Sequence, residues 1–161
     1  MKSLTLFVLA GTLMFAMPVF AEDAASPAAN TNQDILIQKI KADKKLLVAA
    51  NMELTDAEGK KFWPLYDAYQ KELEKLNIRL GKTINEYAEA FNKGPIPNDT
   101  AKKLLNEVMA IDEAEMKLKR TSADKVGKVL SATKTARYIQ IENKIRAVLK
   151  ADLAANIPLV Y

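Results

Sequence analysis

The 161-residue chain carries 24 Lys and Arg against 20 Asp and Glu, with no Cys and no His. The missing Cys excludes disulfides, thiolate nucleophiles, thiolate-held metals and a lipid-modified cysteine, and the missing His removes the commonest zinc ligand and the side chain best suited to proton transfer at neutral pH. Five Gly leave little for tight hairpins or phosphate-cradling loops, and the length suits one domain of ordinary size.

Residues 1–21 read as a cleavable signal peptide. Met1 and Lys2 give a short positive start, residues 4–17 are an uncharged apolar run, and Pro18 breaks it before the cleavage-type triplet Val19-Phe20-Ala21. The run is short for a hydrocarbon layer about 30 Å thick. Export to the periplasm, with no stable membrane insertion after cleavage, is the expectation. Cleavage removes Lys2 alone among the charges. The mild positive excess that remains lacks the basic stripe of a nucleic-acid binder, so no nucleic acid is expected as a partner.

Residues 22–33, EDAASPAANTNQ, hold no large apolar side chain and are predicted to be a disordered leader. A helical domain is expected over 34–156. Its first helix, 35–51, gathers Leu36, Ile37, Ile40, Leu47 and Val48 on a broad face.

The second helix gives the strongest signal. Phe62, Tyr66, Tyr69, Leu73, Leu76, Leu80, Ile84, Tyr87 and Phe91 recur at steps of three and four, with a mean near the 3.6 residues of an α-helical turn. A strict heptad repeat would average 3.5, so only gentle coiled-coil winding is expected. Thr55 with Glu58 three residues on forms a capping box. A helix over 56–92 would be about 55 Å long. Pro64 cannot donate to the Lys60 carbonyl, so a kink is expected there.

Gly94, Pro95 and Pro97 end that helix, and Asn98 or Asp99 is predicted to cap the third. In helix three Leu104, Val108, Ile111, Leu118, Val126 and Val129 form a stripe interrupted by Glu115 and Ser122, with Met109 and Met116 beside it. Helix four starts after Ser131 with Tyr138, Ile141, Ile145, Val148, Leu149 and Leu153, and residues 157–161 form a tail. No stretch alternates with the period of a strand. The fold class is therefore all-α: four helices with a long antiparallel helical hairpin in an elongated bundle. So slender a bundle has a high surface-to-volume ratio, and a second copy would help to bury its faces.

Two helix starts share a pattern. Leu54-Thr55-x-x-Glu58 and Leu130-Ser131-x-x-Lys134 each place a leucine before a hydroxyl cap and a polar residue at the third helical position. Capping accounts for Thr55 and Ser131 but not for the leucines. A staple partner would be Gly59 or Thr135, neither a large apolar group. Lys134 opposes the helix dipole. Both leucines are therefore expected to pack elsewhere, against each other's helix starts.

In these two motifs the chain resembles the Spy/CpxP group of periplasmic proteins, which carry an LTxxQ motif opening a helix in each half of the chain. Neither motif here ends in Gln, and the second has Ser for Thr. FWPLYDAYQKEL (62–73) and ARYIQIENKIRA (136–147) resemble strings in uncharacterised proteobacterial exported helical proteins. The resemblance implies a cradle-shaped homodimer and a stress-response role. Spy-like members hold unfolding envelope proteins without ATP, and CpxP-like members bind the periplasmic domain of a sensor kinase. Metal-binding relatives use His-rich segments, which this chain lacks, so no metal and no cofactor is expected.

Lys39, Lys44, Trp63, Lys103, Met109, Met116 and Arg120 are the candidates for client contact, because long cationic and apolar side chains together give weak, adaptable binding. For each the plainer reading is a solvated face or core packing. No catalytic residues are expected. Ser131-x-x-Lys134 has the spacing of a serine acyl-enzyme without its companion motifs. Gly81-Lys82-Thr83 mimics the end of a phosphate loop, but Leu76 stands where its first Gly is needed.

Overall fold

The computed structural model describes residues 43–160. Residues 43–52 form the described part of helix α1. Helices α2 (Asp56–Asn92), α3 (Asn98–Val126) and α4 (Ala132–Asn156) follow, and no strand occurs among the described residues. The chain is an all-α bundle built on the α2–α3 hairpin. The signal peptide, the leader, the first part of the expected first helix and Lys39 lie outside the described residues.

The capping box fixes the start of α2. The Glu58 amide donates to Thr55 Oγ1 at 3.3 Å, and the Thr55 amide donates to Glu58 Oε2 at 2.9 Å. The helix then runs unbroken through Pro64. After the cap at Lys93, Gly94 takes a φ of +122°, a conformation that favours glycine. The cap of α3 is Pro97, not the Asn98 or Asp99 expected, and no side chain bonds its first turn. Pro97 enters with its ring-fixed φ of −59°, while Asp99 sits in the first turn, where the helix dipole favours an anion.

Cross-helix contacts set the directions. Lys103 meets Glu86 and Arg79 meets Glu107, so α3 runs antiparallel to α2. Gln70 meets Glu142, Asn77 meets Arg146 and the Tyr87 hydroxyl donates to the Pro158 carbonyl at 2.9 Å, so α4 runs parallel to α2. Lys45 reaches Asp67 and Lys44 reaches Gln70, which lays α1 antiparallel on α2.

The core sits where α1 covers the first half of α2. Val48, Met52, Phe62, Tyr66, Tyr69, Leu73, Val126, Leu130, Tyr138 and Ile145 form one buried cluster. Its aromatic rings meet edge-on: Tyr138 lies 5.1 Å from Phe62 and 6.3 Å from both Tyr66 and Tyr69, a geometry that aligns ring edges with ring faces. Farther along the same stripe Leu76, Leu80, Ile84, Tyr87 and Phe91 are only half-buried.

Candidate functional site

The two motif-bearing helix starts lie against each other. Leu130 is buried in the core, and Leu54 packs against the same cluster half-buried. Ser131 caps α4 by accepting from the Lys134 amide at 3.3 Å. Lys134 Nζ then crosses to Glu58 Oε2 at 2.6 Å and donates to the Glu53 carbonyl at 3.1 Å. The third helical positions of the two motifs are thus an ion pair. The attraction offsets the unfavourable placement of a cation at the start of α4. Arg137 adds a bridge to the Glu53 carboxylate at 3.0 Å. Glu53 has a left-handed φ of +48°, which costs a non-glycine residue about 1 kcal/mol or more. Two α4 cations therefore hold the corner between α1 and α2.

The Lys134 hydrogen bond, with the Thr55 amide bond after it, pulls the Glu58 carboxyl down from its ordinary 4.5 to about 2. A carboxylate held below its unfolded value contributes stability above about pH 4.5, and the contribution is lost as pH falls through about 2. Lys134→Met is expected to move the Glu58 midpoint back toward 4.5 in a carboxyl NMR titration. It should also lower stability more at pH 7 than below pH 2, where only the bond to the Glu53 carbonyl is left to lose. An unmoved midpoint would show that Lys134 does not hold Glu58.

A second polar array lies inside the bundle. Glu142 is fully buried; its carboxylate accepts from Lys44 Nζ at 2.7 Å and from Gln70 Nε2 at 3.1 Å, while Lys44 also reaches Gln70 Oε1 at 3.0 Å. One turn on, Arg146 grips Glu115 through two bonds of 2.9 and 2.5 Å and donates to Asn77 Oδ1 at 3.0 Å. The Arg146 and Glu115 side chains are 10% and 6% exposed, so the pair is cut off from solvent screening. Burial lowers the affinity of Lys44 for its proton, opposed by Glu142. Burial opposes ionisation of Glu115, but the hydrogen bonds and charge of Arg146, helped by Lys150 and Lys119, hold its carboxyl below the usual range. Tyr66, Tyr69 and Tyr138 are held protonated well above the usual phenol range, first by burial and then by the Glu142 charge. The hydroxyls of Tyr69, Tyr138 and Ser122 are buried without a hydrogen bond of ordinary geometry.

The client-contact candidates separate into two groups. Lys44 is spent on Glu142 and Gln70 and does not belong to an open surface, a correction that follows from α1 lying against both α2 and α4. Trp63 is half-buried against Phe62, with Lys45 Nζ 5.3 Å from its ring centroid. Lys103 is exposed but paired with Glu86 at 2.8 Å. Met109 and Met116 point outward, 54% and 63% exposed, and Arg120 is exposed on the same helix. Leu105, which sequence reading passed over, is exposed beside them; its signal was its position four residues before Met109. A shallow groove of about 570 Å³ follows where α3 passes into α4, lined by Ala123, Gly127, Ala132, Ala136, Ile139 and Gln140. Among the described residues no three potential metal-ligating side chains cluster, and no helix is long and apolar enough to cross a membrane.

No protein-family model, curated protein or solved structure matches the chain.

Proposed function

We propose that this protein is an exported, non-enzymatic binding protein of the periplasm. It holds unfolded or stress-damaged envelope proteins without nucleotide, in the manner of the Spy/CpxP group, and works as a homodimer. The observation that carries this reading is the set of large apolar side chains left outward on α3, Leu105, Met109 and Met116, beside the exposed cation Arg120. Exposed methionine and leucine adapt to many apolar partners, and a nearby cation adds weak attraction for acidic segments. The paired helix starts support the family likeness, because they give both motifs a shared structural task. Light scattering from a denaturing client enzyme is expected to fall at near-stoichiometric amounts of the protein with no nucleotide present. Unchanged scattering at several-fold excess overturns the reading.

The runner-up is a regulatory or scaffolding partner of an envelope-stress sensor. A pull-down from envelope extract separates the two: a mixture of unfolded proteins supports the chaperone, and one dominant folded sensor domain supports the regulator.

A further inference from the structure

The steps between Leu105, Met109, Met116, Ala123 and Gly127 are four, seven, seven and four, so the set reads the same from either end. Gly127, just past α3, keeps helical backbone angles, φ −63° and ψ −15°. The spacing holds all five on one outward strip about 33 Å long. The two halves of the strip differ in shape. Leu105, Met109 and Met116 are large and 62%, 54% and 63% exposed. Ala123 and Gly127 are small and line the shallow groove at the α3–α4 turn with Ala132, Ala136 and Ile139. Large side chains thus stand at one end and an apolar hollow at the other.

A two-fold axis through Met116 matches these halves. Met109 lies seven residues before Met116 and Ala123 seven after it, about 10 Å each way. Leu105 and Gly127 each lie eleven residues away, about 16 Å. A second copy of α3 laid antiparallel across the axis sets its Met109 over Ala123 and its Leu105 over Gly127, and receives the same in return. Met116 meets its own counterpart. The charges agree with this pairing. Glu113 stands three residues before Met116, which puts it opposite position 119 of the second copy, beside Lys119 and Arg120. Glu113 and Arg120 are both exposed, and neither has an ion-pair partner among the described residues. The pairing brings them together twice. Lys102 and Lys128 fall at the outer ends of the overlap, where their long stems reach water. An unrelated partner would meet these features singly, whereas size, offset and charge that complement themselves mark an isologous contact.

We propose that α3 pairs antiparallel with α3 of a second copy about Met116, with Leu105 and Met109 of each copy filling the groove at the α3–α4 turn of the other. The contact is one helix face wide, narrower than a permanent dimer needs, so it is reversible. It covers the side chains that carry the chaperone reading. The homodimer is then the resting form and a client must part it, a regulation that rests on that reading, whereas the interface itself does not.

Because the chain has no cysteine, single cysteines report the pairing. With oxidised glutathione, Met116→Cys is expected to form a disulfide-linked dimer, since residues at the axis come within the reach of about 7 Å that a disulfide allows. Leu105→Cys should not, because its counterpart lies about 33 Å away. In sedimentation the unaltered protein is expected to show a monomer–dimer equilibrium. Glu113→Lys or Arg120→Glu alone should weaken it about tenfold or more, and the two together should restore it to within about threefold. Melting should not change, because both side chains are exposed. Residues 113 and 120 are about 10 Å apart along one helix, so such a rescue does not arise within one chain. A protein that stays monomeric at every concentration, equal cross-linking at 116 and 105, or a double variant no better than either single one each overturns the proposal. Aggregation assays separate the interface from the chaperone reading. The disulfide-linked Met116→Cys dimer is expected to protect a denaturing client at least tenfold less well than its reduced form, and equal protection overturns the competition. If neither form protects while cross-linking and charge rescue hold, the interface stands and the chaperone reading falls.

Discussion

Arg146→Ala is expected to cost about 3–5 kcal/mol in urea unfolding, among the largest losses any single substitution should produce here. The change strips Glu115 of two charged hydrogen bonds and leaves its carboxylate almost wholly buried. Lys150 Nζ, 3.8 Å away and half-exposed, is a poor replacement. Asn77 loses its donor as well. The cost belongs to the stranded charge and not to the value of the pair. Replacing Arg146 and Glu115 together by Met and Leu should therefore be near neutral or stabilising. Breaking the exposed Lys75–Glu72 pair should cost no more than about 0.5 kcal/mol. If Arg146→Ala proves as mild as that surface change, Glu115 is not isolated from water as described.

Leu130→Asp is expected to lose about 4 kcal/mol or more, enough to abolish a cooperative thermal transition near room temperature in a domain of marginal stability. Leu130 is 7% exposed and sits in the same cluster as Val126, Phe62 and Tyr138. An aspartate there gives up apolar burial and places a carboxylate among rings and aliphatic carbons. Leu54→Asp should act in the same direction with a smaller loss, about 1–2 kcal/mol, because Leu54 is only half-buried against the cluster. Unaltered melting in both variants would place the two leucines at the surface and remove the structural reason for the repeated motif.

Much of the fold was legible because α2 obeys local rules along its whole length. The capping box at Thr55 and the glycine and prolines after Asn92 bracket the helix, so its bounds agree with the spacing, and the stripe is buried from Phe62 to Leu73 and half-buried beyond. Helix α4 was harder. Its buried face mixes Tyr138 and Ile145 with Glu142 and Arg146, so apolar periodicity alone describes it poorly. Charged side chains on a helix are usually solvated, and that prior sent Lys44 to the surface. Its partner Glu142 lies 98 residues away and meets it only once α1, α2 and α4 are in register. One sign was present: Glu115 and Ser122 interrupt the α3 stripe at core positions, and both are buried. Glu142 and Arg146 likewise continue the line of Tyr138 at steps of four.

The repeated motif shows a similar division. Capping by Thr55 and Ser131 follows from local chemistry. The Glu58–Lys134 pair does not, because it needs the start of α4 brought back beside the start of α2. The poor staple partners and the misplaced cation pointed to a tertiary role without naming the partner. On the outer face of α3, the methionines were legible as candidates. Leu105 gains meaning only once the outer face of α3 is seen to stay open beside Met109.

The central claim, contact with unfolded chains and no other chemistry, meets its most direct test in a binding measurement. The purified protein is titrated into one labelled polypeptide in two states, natively folded and permanently unfolded, with no nucleotide or metal added. Association with the unfolded state alone, weakened when Leu105, Met109 and Met116 are all serine, is the expected result. Equal or stronger association with the folded state, or none with either, would contradict it.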